Sequence, residues 1–266
     1  MAKRNRASTR EKTEKLLKKG QGQGRGIDYK PFLHIQDVPS QGLATRDRGW
    51  HTGRPNHLMS LIEWKFFFIL EWSTVVVDIR EQFPLDLETT LAIAHSLGIP
   101  HPTDIKTREP TVVTSDVVVT VKMSVGMEDQ AWAVKPAKKL SDIRTVEKLE
   151  IERVCWSHSN TKWAIVTDLD IDPILSKNVQ LIHHFRDLTR LKPLTAATVN
   201  RVEETVVPRL QTEDIPLVEV TTSCDSRLGL KQGSSIAAAY HLIATRRLPV
   251  DMSVLIVPDG RLILKK

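Results

Sequence analysis

Cysteine is scarce in this chain of 266 residues. Cys155 and Cys224 lie far apart and show no metal-ligand spacing, which excludes a disulfide framework or a cysteine zinc site and fits buried thiols in a reducing compartment. Long apolar runs are missing as well. The most apolar stretch, Trp64 to Leu70, contains Lys65 and is far too short to span a bilayer. The basic N-terminus has no apolar signal core, so no membrane is expected and a cytoplasmic setting is the default. Phosphate-loop signatures are also absent: Gly20, Gly22, Gly24 and Gly26 follow no strand, and no GK[ST] follows them. Asp168, Asp170 and Asp172 alternate like the start of a calcium loop, but the rest of that pattern is missing.

What is present reads as ordinary soluble globular material, 41% hydrophobic and 26% charged, enough for one large domain or two modest ones. A net charge of +6 leans weakly toward a polyanionic partner. Much of that charge sits in residues 1–30, where Lys3, Arg4, Arg6, Arg10 and Arg25 are among the bases and Glu11, Glu14 and Asp28 are the acids. Thr9 to Leu17 fits a short helix. This segment is either a mobile solubilising arm or an arm that closes on phosphates.

Residues 31–172 alternate helices and strands. Pro- and Gly-rich irregular chain carries Arg46, Arg48 and Arg54, and a helix follows at Ser60, with Glu63 in capping-box position. Val75–Ile79 and Arg80–Leu85 read as two strands, Thr89–Leu97 as a helix, and the β-branched run after Asp116 as a central strand. Trp132–Val134 is a short strand ending at Lys135. A helix from about Asp142 to Trp156 and a strand from Lys162 to Thr167 complete an α/β core with a mixed sheet.

After Pro173 the composition shifts to helices. Residues 173–266 end in a helix, Ile236–Arg246, and an expected β-hairpin, Met252–Val257 with Arg261–Leu264 around Pro258-Asp259-Gly260. That order is winged-helix-like. Its second helix would carry His241, Arg246 and Arg247, either as DNA contacts or as the solvated face of a packed helix.

The candidate chemistry is metal-dependent phosphodiester hydrolysis. A metal neutralises the phosphate and acidifies the attacking water, and oxygen ligands suit magnesium. Glu63 and Asp116 supply carboxylates, and Lys135 can orient water or stabilise developing charge. Ala133 shares a strand face with Lys135 but offers no ligand atom. The Val134 carbonyl and Glu152 on the next helix are candidates to complete the shell. Each has a plainer reading: Glu63 as a helix cap, Asp116 as a strand-end cap, Lys135 as a snorkelling edge residue, Glu152 as a solvated helix position. His57 and His101 are candidates for phosphate contact or proton transfer, and Lys138 and Lys139 add to the basic DNA-contact set.

Read together, GQGRGIDYKPFL, DVPSQG, TGRPNHLMSLIE, LEWSTVVVDIREQFPL, TSDVVV, VKPAKKL and TVEKLEIER resemble the TnsA endonuclease subunits of bacterial heteromeric cut-and-paste transposases. In the C-terminal half the resemblance rests on element order and on LGLKQGSSIAAAYHLIATRR. It implies a restriction-endonuclease-like core with Glu63, Asp116 and Lys135 as catalytic residues and Glu152 as the helix glutamate. The family glutamine two residues before the lysine is replaced here by Ala133. The resemblance further implies magnesium, with manganese able to substitute, and cutting of the 5′ strands at the transposon ends. A DDE transposase, TnsB, would handle the 3′ strands, and the C-terminal domain would meet an AAA+ regulator, TnsC. The expected setting is the bacterial cytoplasm, with nucleoid association on DNA. Two alternatives stand beside it: a non-catalytic adaptor bridging transposase, regulator and DNA, for which Ala133 speaks, and an independent nuclease active without partners.

Overall fold

The computed structural model describes residues 9–37 and 44–265, and Lys3, Arg4 and Arg6 of the basic segment lie outside them. The chain divides into two compact units, Met1–Ile171 and Asp172–Lys266.

In the first unit, Thr9 caps α1 (Arg10–Lys18) by accepting from the Lys12 N–H. The glycine-rich chain that follows is not a free arm: it lies along the sheet. Gly26 N–H donates to Asp78 Oδ1 (3.1 Å), the buried Tyr29 hydroxyl donates to the Glu81 carbonyl (3.0 Å), and Phe32 N–H donates to the Gln82 carbonyl (3.2 Å). Gly22 is required at this contact, since a Cβ there would lie 2.2 Å from Pro84 Cγ.

A two-stranded ribbon, β1 (Thr45–Arg48) antiparallel to β2 (Pro55–Leu58), leads into α2 (Leu61–Trp72). The main sheet runs in the order β3 (Val76–Pro84), β4 (Thr114–Lys122), β5 (Met127–Val134), β6 (Lys162–Val166). The first two pairings are antiparallel and β5–β6 is parallel, so the sheet is mixed. Helix α3 (Leu87–Ser96) separates β3 from β4, and α4 (Ile143–His158) separates β5 from β6. The two strands expected over 75–85 are one continuous strand, because Arg80 and Glu81 are buried and paired with Asp129 and Arg54, and Gln82 is buried beside them.

Side-chain alternation divides the sheet into two buried faces. Val118 and Ala131 cluster with Leu85 and Trp156 of α4. Val117 and Val134 instead meet Phe66, Phe67 and Leu70 of α2, and Phe66 packs edge-on to Trp132 at 5.9 Å. This is the restriction-endonuclease-like α/β core.

The second unit is helical: α5 (Pro173–His183), α6 (Ala196–Thr212), α7 (Leu217–Leu228) and α8 (Ser234–Ala244). Val199, Val202, Val206 and Leu210 present one buried stripe of α6 at helical spacing. The expected C-terminal hairpin does not form. A single bridge joins Val250, two residues before the expected first arm, to Leu264 at the end of the second. Other partners claim the backbone groups a hairpin would pair: the Asn178 amide donates to the Met252 and Val254 carbonyls (3.0 and 2.8 Å) and accepts from Ile256 N–H (2.8 Å). Leu217 and Val218 N–H take the Gly260 and Pro258 carbonyls. Among the described residues no helix is long and apolar enough to cross a membrane.

Candidate active site

The β4–β5 ladder stops at Val117–Trp132, and an acid side chain takes over there. Asp116 Oδ2 accepts from the Val134 N–H at 2.6 Å and from Lys135 Nζ at 2.6 Å. Lys135 is held from behind, its own N–H donating to the Val166 carbonyl of β6 (2.9 Å). Its side chain stays 34% exposed while that of Asp116 is 12% exposed, so the pair faces solvent from the lysine side.

Two further carboxyls bear on the pair. Glu63 closes a capping box at the start of α2: Ser60 Oγ accepts from Glu63 N–H and donates to Glu63 Oε1, and Glu63 Oε2 accepts from Met59 N–H (2.9 Å). Burial, then the charge of Asp116, raises its pKa to about 7 against those bonds. Glu152 is buried on α4, with Oε1 unpartnered among the described residues. Burial and Asp116 raise it also to about 7, with Ser115 and Trp163 pulling the other way. For Lys135, burial favours the neutral amine, but Asp116, Glu152 and Glu63 outweigh it and hold the pKa above the ordinary lysine value. The arrangement is one ammonium among three carboxyl groups, so it is rich in negative charge.

Between α2 and the sheet, Glu63, Glu81, Asp116 and Val134 line, with apolar neighbours, a small cavity of about 10 Å³, room for about one water. Among the described residues no three His, Cys, Asp or Glu side chains stand close enough to hold a metal ion as they are. Ala133 is fully buried beside this centre.

Three supports escaped the sequence reading. Trp156 Nε1 donates to Ser115 Oγ at 2.7 Å, fixing the helix of Glu152 to the strand residue beside Asp116. Gln82, between the pairs Glu81–Val117 and Phe83–Ser115, adopts a positive φ of 50° opposite Asp116. That backbone region is uncommon for a residue other than glycine. Neither contact has a local signature. The third is Glu81, fully buried and doubly bonded to Arg54.

The DNA-contact candidates separate. Arg54 is interior: it pairs with Glu81 (2.8 and 2.6 Å), donates to the Ile79 carbonyl and lies 4.9 Å over the Tyr29 ring, so it is not placed to meet a phosphate. His57 is buried and held neutral, its pKa pushed down to about 4 by burial and by His34, Arg46 and Arg54. His101 is tied to Thr90 Oγ1 and the Pro102 carbonyl, and burial lowers its pKa too. Arg25 is exposed but bonded to Asp129 and Thr120. Arg247 is exposed and bonded to Glu203 and Asn200. Lys138 and Lys139 are exposed on the turn after Lys135, a turn anchored by Ala137 N–H donating to Asp168 (2.7 Å). Arg246 is exposed, with φ of 62°. The other two acids of the 168–172 loop are local caps: Asp170 accepts from Thr167, and Asp172 caps α5.

Residues 73–168 match the family model described as TnsA-like endonuclease N terminal, and residues 170–252 match TnsA endonuclease C terminal. The chain is 37% identical over 222 residues to the transposon Tn7 transposition protein TnsA of Escherichia coli, covering 81% of this chain and 80% of that protein.

Proposed function

Because the chain belongs to the TnsA endonuclease family, a family of DNA-transposition endonucleases, we propose that Glu63, Asp116, Lys135 and Glu152 form its hydrolytic centre. The substrate is duplex DNA at transposon ends and the bonds cut are those of the 5′ strands. The observation that carries this reading is the Asp116–Lys135 contact with two buried glutamates bearing on it.

The donor set fits a hard divalent cation. Its atoms are all oxygen, Glu152 carries a buried oxygen without a partner among the described residues, and burial, then the charge of Asp116, pushes Glu63 and Glu152 toward protonation. Glu63, Asp116, the Val134 carbonyl and Glu152 would hold magnesium, or manganese in its place. When bound, the ion neutralises phosphate charge and acidifies water. Lys135, kept protonated by its neighbours, points an N–H toward the incoming water or the developing phosphoryl charge. Asp116 fixes the ammonium, and the end of β5 with it, so the group arrives oriented.

Partners of this chemistry are a DDE transposase that handles the 3′ strands and an AAA+ regulator that meets the helical second unit. A second reading, a non-catalytic adaptor, draws on Ala133, which leaves one strand position without a donor. The test is strand-specific cleavage of a donor plasmid carrying both ends, with transposase, regulator and magnesium. Asp116→Ala should abolish the 5′-strand cuts and spare the 3′-strand cuts. Unchanged 5′ cutting favours the adaptor.

A further inference from the structure

In the first unit, most arginine charge is already spent inside the protein. Arg10, Arg25, Arg54, Arg80, Arg144 and Arg153 each meet a carboxylate. Arg46, Arg48 and Arg108 do not; Arg46 and Arg48 are both exposed, and among the described residues neither side chain makes an ion pair or hydrogen bond.

Arg46 and Arg48 share one face of β1 because strand side chains alternate. The residue between them proves the orientation. Asp47 turns inward, and its Oδ2 accepts from Trp64 Nε1 at 2.6 Å. Trp64 is itself packed edge-on to Phe68, at 5.3 Å. The acid that would have offset the two arginines is therefore committed to α2, and the outer face of β1 is left purely basic. Two residues along a strand span roughly 6.8 Å, compatible with phosphates spaced about 3.4 Å apart along the axis of one DNA strand.

The same contact fixes where this face stands. Trp64 follows Glu63 directly in α2, Glu63 Oε2 holds the Met59 N–H at the end of β2, and Leu58 of β2 lines the cavity shared with Asp116. The ribbon is thus pinned to the element carrying one of the candidate catalytic acids.

We infer that Arg46 and Arg48 form a clamp for the DNA backbone, holding the duplex beside the catalytic centre by phosphate charge rather than base identity. This rests on the nuclease reading for its occupant, duplex DNA. Charge complementarity makes that choice, since a planar guanidinium binds phosphate well and no acid stands on the outer face of β1 to oppose it.

The test is the salt dependence of binding by the full-length chain to a labelled duplex in EDTA, from about 50 to 200 mM salt. Each phosphate contact contributes about 0.9 to the slope of log affinity against log salt. The double variant Arg46→Ala, Arg48→Ala should therefore be shallower by about 1.8. Across that fourfold salt range, wild type should lose about tenfold more affinity than the variant. Arg46→Lys with Arg48→Lys should restore most of the slope, and Arg153→Ala, paired with Glu150, should leave it unchanged. Thermal melts should show the exposed variants folded like wild type. An unaltered slope in the double alanine variant overturns the clamp, as does a wild-type chain that fails to bind the duplex. The nuclease reading fails separately, by 5′ cutting that survives Asp116→Ala. A reduced slope together with such survival would leave the clamp standing and the chemistry wrong.

Discussion

One oxygen of Asp116 holds both the Lys135 ammonium and the Val134 N–H, each at 2.6 Å. The acid therefore stands in for the missing ladder partner at the end of β5 and for the counter-ion of the lysine. A charge-assisted bond of this length is among the stronger side-chain contacts. Strand end and charged group are positioned by the same atom.

Lys135→Ala should leave the unit folded, because the lysine is partly exposed and its backbone bond to Val166 is kept. Strand cutting should fall by roughly 10²–10³, the scale for removing one preorganised charge-stabilising group. Single-turnover cleavage in the transposase assembly measures this. A loss of less than tenfold would move Lys135 to a structural role.

The pH dependence of stability has a definite sign. Glu63 and Glu152 are raised from the ordinary 4.5 to about 7, so between those values the native chain binds more protons than the unfolded one. Their contribution is fully present below about 4.5 and declines as pH rises through about 7. In divalent-free buffer the melting temperature of wild type should fall from pH 5 to pH 8. Glu63→Gln and Glu152→Gln should each flatten the fall. Melts at both pH values decide it.

Arg54→Ala should destabilise the first unit by about 3–5 kcal/mol, the cost of stranding a buried carboxylate, here that of Glu81. Urea titration reads the loss. An exposed phosphate-binding arginine would instead leave the midpoint within about 0.5 kcal/mol.

In the second unit, Asn178→Ala should cost about 1–3 kcal/mol by orphaning the buried Ile256 N–H and the Met252 and Val254 carbonyls. Limited proteolysis should then cut first within residues 250–264. Unchanged proteolysis would mean that the bridge at Val250 suffices.

Much of this architecture was legible in the sequence because it rests on local rules. β-branched runs mark β3 and β4, Ser60 with Glu63 writes a capping box, and Gly229 and Gly98 end helices in left-handed geometry. The order acid, acid, lysine nominates the candidate centre, although each of the three also has a plainer structural reading from the sequence alone. Long-range partnerships were not legible. Arg46, Arg48 and Arg54 are equivalent in composition, and only the fold sends Arg54 to Glu81 while leaving the other two outside. The C-terminal hairpin misled for the same reason: its turn chemistry is correct, but Asn178, 74 residues from its first partner, claims the backbone. Ser115 with Trp156, and the left-handed Gln82 beside Asp116, likewise need the sheet register before they exist as a pair or a strain.

The central claim is a cation centre built on Asp116, and manganese binding reads it without any cutting. Titrating the full-length chain with manganese at pH 7.5, followed by the paramagnetic signal of the free ion, compares wild type with Asp116→Asn and Glu152→Gln. The account predicts saturable binding by wild type, at least tenfold weaker binding by Asp116→Asn, and an intermediate loss for Glu152→Gln. Equal binding by all three proteins would contradict it.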